Sequence, residues 1–469
     1  MMAGCQTLTK NSVTEKRTTA AVDAFQCPVS ASYPPLFTVL ENNQQRLVIG
    51  LGPFGRFFNL SNDQYRYKVT YRGSKENKQD QEKLILQGEG EGAQHRVEVP
   101  VTQTGVYYFT VFADEKKPVW KQKVFAIAPN EHILTDAEKK SLAEQYAPVV
   151  NYNENELYFP VSLEYMTNQV DVDQQLKDEP FRLTNKKIAS TFSFFSSAPS
   201  LDVTFPFSEL HSILPYYGHA ESVLKSGLSS PSDTRLKSRY GEKHATVYYS
   251  VFENPKYKEI YINYHFFYSY DPKNGTQDNE SIAAHIFDRE SMTVVLRSTT
   301  KQPLMVFYGA HLANQKMGHL SAQGDILQQW ETGRVFVNWP LVNKQNGRPV
   351  PAIALGSHAV YPKKGNYAVF LNDRIKVLTE PAGGDRWLYP AFDSSFQKKP
   401  NTWSYQLKDL QLDHVTSDCH QTNSLLAFSG STVDVLGPTN ATFPPFTDRE
   451  EDYQSYADPN APMFEMDRE

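Results

Sequence analysis

The chain has 469 residues, of which 40% are hydrophobic and 13% aromatic, including 27 Tyr and 28 Phe. This length predicts at least two domains, and the many aromatic residues favour half-buried sheets over helix bundles, so we predict a mainly β protein. The formal net charge is −6 and the basic residues are scattered along the sequence, which excludes the basic surface expected of a nucleic-acid-binding protein.

Residues 1–30 are predicted to form a tether and not a part of a domain. Met1-Met-Ala-Gly-Cys5 is similar to the end of a bacterial lipoprotein signal, in which a small residue precedes the cysteine that becomes lipidated. The stretch that follows is rich in Thr, Ser, Lys and Ala and lacks periodicity, as tethers do. We therefore expect an extracytoplasmic protein, either a bacterial lipoprotein at the cell envelope, anchored in the membrane through a lipidated Cys5, or a secreted protein. The alternative is a disordered cytosolic tail.

Two further cysteines, Cys27 and Cys419, complete the set of three in the chain. In an oxidising compartment they could pair, although spacing alone does not decide that bond.

Residues 31–130 are predicted to form an immunoglobulin-like β-sandwich, because short alternating segments are separated by polar turns. These segments are Arg46–Gly50, Tyr65–Tyr71, His95–Val99 and Gly105–Phe112. The stretch from Val101 to Val111 resembles the late strands of immunoglobulin-like domains, which bears on fold and not on activity. The string Gly50–Gly55 matches the dinucleotide-binding fingerprint only as letters, since Pro53 interrupts it and no helix follows, and we interpret it as a turn.

A larger β-sandwich with short helices and long loops is predicted over residues 131–385. Thr135-Asp-Ala-Glu138 forms a capping box that begins a short helix, and Pro148 ends it. A loop-rich stretch from Ser196 to Lys243 precedes a hairpin of two alternating strands. The hairpin strands span Ala245–Phe252 and Glu259–Tyr270. An extension of the sandwich and an acidic, Pro-rich tail follow, at residues 386–436 and 437–469.

The segment after this hairpin alternates as one strand and carries two carboxylates on its apolar face. Asp288 and Glu290 continue the face of Met292 and the apolar residues beyond it. The opposite face carries Arg289, Ser291, Thr293 and Arg297 and is expected to meet solvent. Because buried carboxylates are costly unless they are paired, a metal ion, a basic partner or a shared proton must compensate the inward pair.

A metal ion is the leading hypothesis for this compensation, because His285 lies three residues before Asp288. Carboxylate oxygens with one imidazole suit Mg²⁺, Mn²⁺ or Ca²⁺ better than a structural zinc, which favours cysteines or several histidines. The odd offset of His285 means that it must lie in the entering loop or at a bulge to join the acids. The alternative is neutralisation of the acids by a nearby Arg or Lys.

Several segments resemble, in order, the vacuolar-protein-sorting sixty-two-like family, and one is similar to the metal-binding heptad of the necrosis- and ethylene-inducing (NLP) cytolysins. They are Tyr146-Ala-Pro-Val-Val, Tyr158-Phe-Pro-Val-Ser, Tyr264–Tyr270, His285-x-x-Asp288-x-Glu290, Val306–His311 and Ala354–Tyr361, within roughly Gln145 to Phe370. The resemblance implies a cytolysin-like β-sandwich in which His285, Asp288 and Glu290 bind a divalent ion. An earlier aspartate completes the set: Asp271 is the first candidate and Asp278 the second.

In the cytolysins this site supports binding of a glycosylated membrane lipid, which makes a glycan, a glycolipid or a membrane surface the implied partner. This sequence departs from both families at Arg289, where they usually have an aromatic residue, so the outer wall of the pocket does not carry over.

Two more histidines, His311 and His358, each follow a predicted buried strand in a turn of small residues. Single histidines are more often satisfied structural residues than ligands, but the shared resemblance makes these two candidates for supporting the metal ligands or for acting as a general base. We do not expect a serine hydrolase built on Ser357, because adjacent residues at a strand end point apart and no nucleophile elbow surrounds them. His265 is expected to pack within the sheet.

Three functions stay open at the level of sequence. The favoured one is recognition of a glycan or lipid headgroup through an exposed divalent ion. The second is metal-dependent hydrolysis of a phosphoester or glycosyl bond, with His311 or His358 as the base. The third is a structural or interaction module in which the metal only braces loops.

Overall fold

The computed structural model describes residues 36–41, 44–51, 64–73, 82–91, 95–112, 118–126, 128–131, 133–162, 180–185, 202–206, 222–226, 245–254, 258–271, 285–310, 316–330, 334–371, 375–396, 400–409, 431–433 and 441–442. Some side chains within these strands, those of Asp271 and His285 among them, are not described. The predictions for the tether, Cys5, Cys27, Cys419, Asp278 and His311 lie outside the described residues, as do those for most of the 196–243 stretch and of the tail.

Seven strands form two antiparallel sheets between residues 36 and 126. They are β1 (Leu36–Glu41), β2 (Gln44–Leu51), β3 (Gln64–Gly73), β4 (Lys83–Glu91), β5 (His95–Pro100), β6 (Gly105–Phe112) and β7 (Pro118–Ala126). One sheet has the order β1-β2-β5 and the other β4-β3-β6-β7, and β1 lies against β7. Alternation buries one face of β3, where Val69 is fully buried between Tyr67 and Tyr71. All four alternating segments singled out in this region are strands.

A single α-helix, α1 (Asp136–Tyr146), follows this region among the described residues, with short 3-10 turns at Pro129–Glu131, Trp339–Leu341 and Ser394–Phe396. The predicted capping box is confirmed: the Glu138 amide donates to Thr135 Oγ1 over 3.3 Å, and the Thr135 amide donates to the Glu138 carboxylate over 2.8 Å. Leu142, Ala143 and Tyr146 bury one side of α1 against the second sheet system. The described helices include none that is long and apolar enough to cross a membrane.

Replacing Thr135 by alanine is expected to lower the free energy of unfolding by about 1 kcal/mol, because the first turn of α1 loses the hydroxyl that accepts the Glu138 amide. Urea unfolding monitored by circular dichroism measures the change. Ser141→Ala, at an exposed position inside the same helix, is the matched control and should leave stability unchanged or slightly raised. Equal effects of the two variants would contradict the capping role.

The remaining strands build the second sheet system. They are β8 (Val150–Tyr152), β9 (Pro180–Asn185), β10 (Asp202–Pro206), β11 (Ser222–Ser226), β12 (Thr246–Asn254), β13 (Glu259–Asp271), β14 (His285–Arg297), β15 (Pro303–Gly309), β16 (Lys316–Leu320), β17 (Ile326–Trp330), β18 (Arg334–Asn338), β19 (Lys344–Gln345), β20 (Arg348–Pro349), β21 (Ala352–Ile353), β22 (Val360–Tyr361), β23 (Gly365–Leu371), β24 (Ile375–Ala382), β25 (Arg386–Pro390), β26 (Thr402–Asp409), β27 (Ser431–Val433) and β28 (Ala441–Thr442). The prediction of a mainly β protein with few helices is confirmed.

A ten-stranded sheet with the order β18-β15-β14-β13-β12-β26-β25-β8-β21-β22 forms the frame of this system. A four-stranded sheet, β17-β16-β23-β24, and a five-stranded sheet, β10-β9-β11-β27-β28, accompany it, while β19 and β20 pair with each other. The predicted hairpin is present as β12 and β13, and β13 pairs with β14 over its whole length. Met317 of β16 and Tyr367 of β23 belong to the same core cluster as the central strands, so the four-stranded sheet covers one face of the frame.

The expectation that the second face of β14 meets solvent is wrong at Ser291 and Thr293, while Arg297 on the same face is exposed. Ser291 and Thr293 on that face are buried, and Thr293 Oγ1 donates to Asn263 Oδ1 over 2.6 Å. The same face carries a buried hydrophobic cluster of Tyr261, Val295 and Phe307, and β27, far away in sequence, contacts β14. His265 is also buried on this face, 3.1 Å from Ser250 Oγ, as expected of a residue that packs within the sheet.

Candidate functional site

The two inward acids lie where the alternation of β14 places them. Asp288 is 7% exposed and is the cross-strand neighbour of Tyr268, while Glu290 is half-buried opposite Phe266. The prediction that Asp288 points with the apolar residues into the core is therefore confirmed. A carboxylate buried in this way needs a partner that offsets the cost of removing its charge from water.

Asp271 and His285 are direct cross-strand partners at the far end of the β13–β14 pair. The strand β14 begins at His285 and its pairing with β13 runs without a register shift, so the loop or bulge expected at His285 is absent. In an unshifted strand, positions 285 and 288 alternate to opposite faces. The side chains of these two predicted ligands lie outside the described residues, and their role as ligands stays a prediction.

A histidine compensates Asp288 in the structure. His358 is completely buried, and its Nδ1 lies 3.0 Å from Asp288 Oδ2. Its Nε2 lies 3.5 Å from Oε1 of a second buried acid, Glu156, which makes an ion pair without a hydrogen bond of good geometry. We call Asp288, His358 and Glu156 the ion triad. The alternative hypothesis expected an Arg or a Lys as the basic partner of the acids. In the structure the basic partner of Asp288 is the imidazole of His358.

Glu156 was missed at the level of sequence, although its carboxylate links its own segment to the distant turn at residues 356–358. Its Oε1 accepts the amides of Leu157 and Tyr158 over 2.8 and 2.9 Å, and its Oε2 accepts the Gly356 amide over 2.8 Å. Burial alone raises the pKa of this carboxyl, but the charge of His358 and these hydrogen bonds outweigh burial and lower it. Glu156 is therefore ionised inside the core.

Aromatic rings hold the imidazole of His358 in place. The Tyr268 ring stacks on it with a centroid distance of 3.8 Å and an interplanar angle of 5°, and Tyr158 approaches edge-on at 6.3 Å. The Tyr268 hydroxyl is 2.9 Å from that of Tyr152. His358 itself has a left-handed backbone with a φ of 55°, so the turn after β21 constrains both its main chain and its side chain.

His358 is protonated at neutral pH. Burial lowers the pKa of its imidazole, but the charges and hydrogen bonds of Glu156 and Asp288 outweigh burial and raise it to about 10. A protonated imidazole donates from both nitrogens and is neither a metal ligand nor a general base. The geometry therefore favours a positioning role for His358. The neighbouring Ser357 Oγ has no hydrogen-bond partner among the described residues. Both ring nitrogens of His358 face carboxylates and not this hydroxyl, so the described geometry contains no serine–histidine pair.

Tyr361 and Glu380 form a buried tyrosine–acid pair. Tyr361 Oη donates to Glu380 Oε2 over 2.6 Å, and its ring stacks on Tyr367 at 3.8 Å. Burial raises the pKa of Tyr361 well above its usual range, with smaller contributions from Glu380, Tyr367 and Glu290. Glu290 therefore lies close enough to Tyr361 to influence it electrostatically. Glu380, like Glu156, has no local sequence signal that marks it.

The described part of the site fits a divalent ion only in part. Asp288 and Glu290 offer the carboxylate oxygens that Mg²⁺, Mn²⁺ and Ca²⁺ prefer. Within the described ranges, however, no group of three or more His, Cys, Asp and Glu side chains could hold a metal ion. The unshifted register assigns positions 271 and 285 to the opposite face of the strand pair from 288 and 290, so the backbone does not bring the four predicted ligands together.

Comparisons with known proteins identify no family. No protein-family model matches the chain, and no curated protein matches it. Among solved structures, three of β-glucosidase 3B from Thermotoga neapolitana match, in complex with glucose, with α-D-glucose and with glycerol. Their identities are 15%, 13% and 14% and their TM-scores 0.15, 0.16 and 0.14, each over 20% of this chain and 16%, 16% and 15% of the other. Likeness this low carries no argument, and the resemblances to the vacuolar-sorting and NLP families stay predictions.

Proposed function

We propose that this chain is an extracytoplasmic recognition protein that binds a divalent ion at Asp288 and Glu290 and, through it, a glycan or lipid headgroup. The observation that carries the proposal is the shared face of these two acids on β14, with Asp288 held from the core side by His358. Acids two positions apart on one strand face project side by side, the arrangement that a bridging cation uses.

The ion triad supports this proposal by fixing the direction of Asp288. A carboxylate that binds a metal is usually oriented by hydrogen bonds from other side chains, and losing them weakens metal affinity by about 10–100-fold. His358 Nδ1 supplies such a hydrogen bond from a fully buried position. Asp288 therefore does not have to be ordered when a cation binds, which lowers the entropic cost of binding.

Recognition is favoured over hydrolysis because His358, one of the two histidines predicted as a base, is engaged by two carboxylates. Hydrolysis requires a group that accepts a proton from water near the metal. His358 carries its own proton at neutral pH, and carboxylates occupy both of its nitrogens. The hydrolase alternative then depends on His311, which lies outside the described residues.

Titration calorimetry of metal-stripped protein with Mg²⁺, Mn²⁺ and Ca²⁺ tests the proposal. Glu290→Gln is the informative variant, because Glu290 is half-buried and is not a member of the ion triad, so its loss should weaken cation binding by at least about tenfold without unfolding the protein. Asp325→Asn, at an exposed turn, removes the same charge elsewhere and should leave binding unchanged.

The second step of this test separates the functions. A cation-dependent increase in binding to glycolipid vesicles or glycan arrays supports recognition, and cation-dependent turnover of a phosphoester or glycoside supports the hydrolase. No binding of any of the three ions would remove both. A structural or interaction module would then be the better account, since the ion triad can brace the core with its own imidazole and without a metal.

A further inference from the structure

A short segment joins the N-terminal sheets, β1 to β7, to the second sheet system, and we call its residues 128–131 and 133–134 the strap. The strap follows β7 and ends where Thr135 caps α1. Connections between sheet systems usually run over the surface and allow the two parts to move relative to each other. Here, however, Ala128 and Leu134, at the two ends of the strap, are only 1% and 5% exposed. Buried backbone amides need hydrogen-bond partners, and the strap finds them in both sheet systems.

The first end of the strap is bound to the N-terminal sheets through Thr104. The Thr104 hydroxyl accepts the Ala128 amide over 2.8 Å. Thr104 is itself fixed, because its carbonyl accepts the Tyr71 hydroxyl over 3.0 Å. The Tyr107 hydroxyl donates to the neighbouring Gln103 carbonyl over 2.8 Å, and the two buried tyrosine rings lie 5.1 Å apart. The Ala128 amide therefore hydrogen-bonds to a bend that is held by the core of these sheets.

The second end of the strap is bound to the ten-stranded sheet through Glu253 of β12. Its Oε1 accepts the amides of Ile133 and Leu134 over 2.6 and 2.7 Å. Glu253 is buried, and a carboxylate in such a position is stabilised by charge-assisted hydrogen bonds of this kind. The side chain of Leu134 belongs to the same core cluster as residues of β12 and β13. Both the backbone and the side chain thus attach this end of the strap to the ten-stranded sheet.

We propose that the strap is a rigid connection in which Glu253 acts as a latch, so that the N-terminal sheets and the ten-stranded sheet keep one relative position. A hinge needs backbone dihedral angles that are free to change. Between its two bound ends the strap forms a 3-10 turn, Pro129–Glu131, in which the Glu131 amide donates to the Ala128 carbonyl over 2.8 Å. The ring of Pro129 restricts one further dihedral angle. The described residues of the strap therefore leave little backbone freedom for a hinge.

The latch connects the N-terminal sheets to the strand that carries the inward acids. Glu253 lies on β12, β12 pairs with β13, and β13 pairs with β14, which bears Asp288 and Glu290. A ligand that touches both parts would meet them in one fixed arrangement and would not bear the entropic cost of ordering them. This arrangement does not depend on a bound cation, so it can be tested apart from the proposed function.

Double electron–electron resonance between two spin labels on the whole chain tests the latch. The labels are attached to unnatural side chains at Gln87 of β4 and Gln406 of β26, both of which are exposed, so the native cysteines stay in place. For the wild type we expect one narrow distribution of distances between the labels. Glu253→Met keeps the length of the side chain but removes the acceptor of the two strap amides, and we expect it to broaden this distribution.

Hydrogen exchange followed by mass spectrometry adds a local measurement on the same proteins. Exchange of the Ile133 and Leu134 amides should become at least about tenfold faster in Glu253→Met, because both amides lose a charged acceptor. Glu259→Met is the matched control, since Glu259 is also a buried acid but its carboxylate accepts the Tyr261 hydroxyl over 2.8 Å. The control should leave the distance distribution and the exchange of the strap amides unchanged.

Thr104→Val removes the acceptor of the Ala128 amide at the other end of the strap, repeats the test there, and replaces Glu253→Met if that variant does not fold. Circular dichroism and thermal unfolding show which variants are folded. A broad distance distribution in the wild type would overturn the proposal, as would a folded Glu253→Met protein with the distribution and strap exchange of the wild type. Equal effects of Glu253→Met and Glu259→Met would also overturn it. Broadening and faster exchange in the strap variants, but not in the control, support it.

Discussion

Replacing His358 by leucine is expected to lower the free energy of unfolding by about 3–5 kcal/mol, the cost of removing one partner from a buried ion pair. The substitution removes the cation that lies 3.0 Å from Asp288 and 3.5 Å from Glu156 and leaves two carboxylates in the core. It also removes the ring that stacks on Tyr268. Urea unfolding followed by tyrosine and tryptophan fluorescence measures the loss.

His319→Leu is the matched control for this change. His319 is half-buried, and burial and the charge of Lys363 lower the pKa of its imidazole. Among the described residues it forms no ion pair. The same substitution there is expected to cost about 1 kcal/mol or less. If both variants lose equal stability, the effect of His358→Leu comes from shape and not from charge.

A coupling measurement separates charge from packing more directly. In a background that carries Glu156→Gln and Asp288→Asn, the core contains no ionised acid at the triad, so His358→Leu should cost much less than in the wild type. The difference between the two costs is the interaction energy of the triad. A coupling energy near zero would show that His358 acts only as a packed ring.

Sequence patterns over a few residues predicted those structural features that depend on neighbouring residues in the chain. The capping box at Thr135 and Glu138 depends on residues three apart, and the inward direction of Asp288 follows from the alternation of β14. Both could be predicted because a helix turn and a strand pleat fix side-chain direction within a few residues. The mainly β character followed in the same way from the abundance of aromatic residues.

The compensation of Asp288 could not be read from the sequence, because its partners are remote. His358 is 70 residues away, and the Glu156 carboxylate accepts an amide 200 residues further along the chain. The need for compensation was evident from the buried acid, but a metal, an imidazole and a guanidinium satisfy that need equally well in sequence. Glu156 also lies outside any periodic segment, so no pattern marked it as buried.

The solvent-facing expectation for Ser291 and Thr293 failed for a related reason. Alternation distinguishes the two faces of a strand but does not reveal whether a second layer covers the polar one. In this fold a buried cluster that contains Val295 and Phe307 occupies that face, and β27 contacts β14 from a distant part of the chain. The polar residues then satisfy each other inside the sheet, as Thr293 and Asn263 do.

Arg348, which lies far from α1 in sequence, caps the C-terminal end of that helix. The last turn of α1 contains no basic residue. Arg348 Nη1 donates to the carbonyl of Glu144 and, over 3.3 Å each, to those of Gln145 and Ala147, while its Nε lies 3.1 Å from Asp393 Oδ2. One side chain thus satisfies carbonyls that the helix end leaves without amides and also pairs with an acid.

Arg348→Met is expected to lower the free energy of unfolding by about 2–4 kcal/mol, because these carbonyls and Asp393 lose a charged donor at once. Arg348→Lys should recover only part of the loss, since an ammonium cannot reproduce the planar fork of a guanidinium. Arg297→Met, at an exposed arginine, is the matched control and should change stability by about 0.5 kcal/mol or less. Chemical unfolding of the three variants gives the comparison.

The pH dependence of the stability difference between the wild type and Arg348→Met tests whether the ion pair of Arg348 with Asp393 causes that difference. Burial raises the pKa of the Asp393 carboxyl, but hydrogen bonds from Ser395 and the charge of Arg348 outweigh burial and lower it. A carboxyl whose pKa is lower in the folded protein contributes stability that is complete above its unfolded pKa of about 3.9 and is lost as the pH falls through the folded value. The gap between wild type and Arg348→Met should therefore narrow below about pH 4. A gap that stays constant down to pH 2 would assign the effect of Arg348 to its hydrogen bonds with the helix carbonyls and not to Asp393.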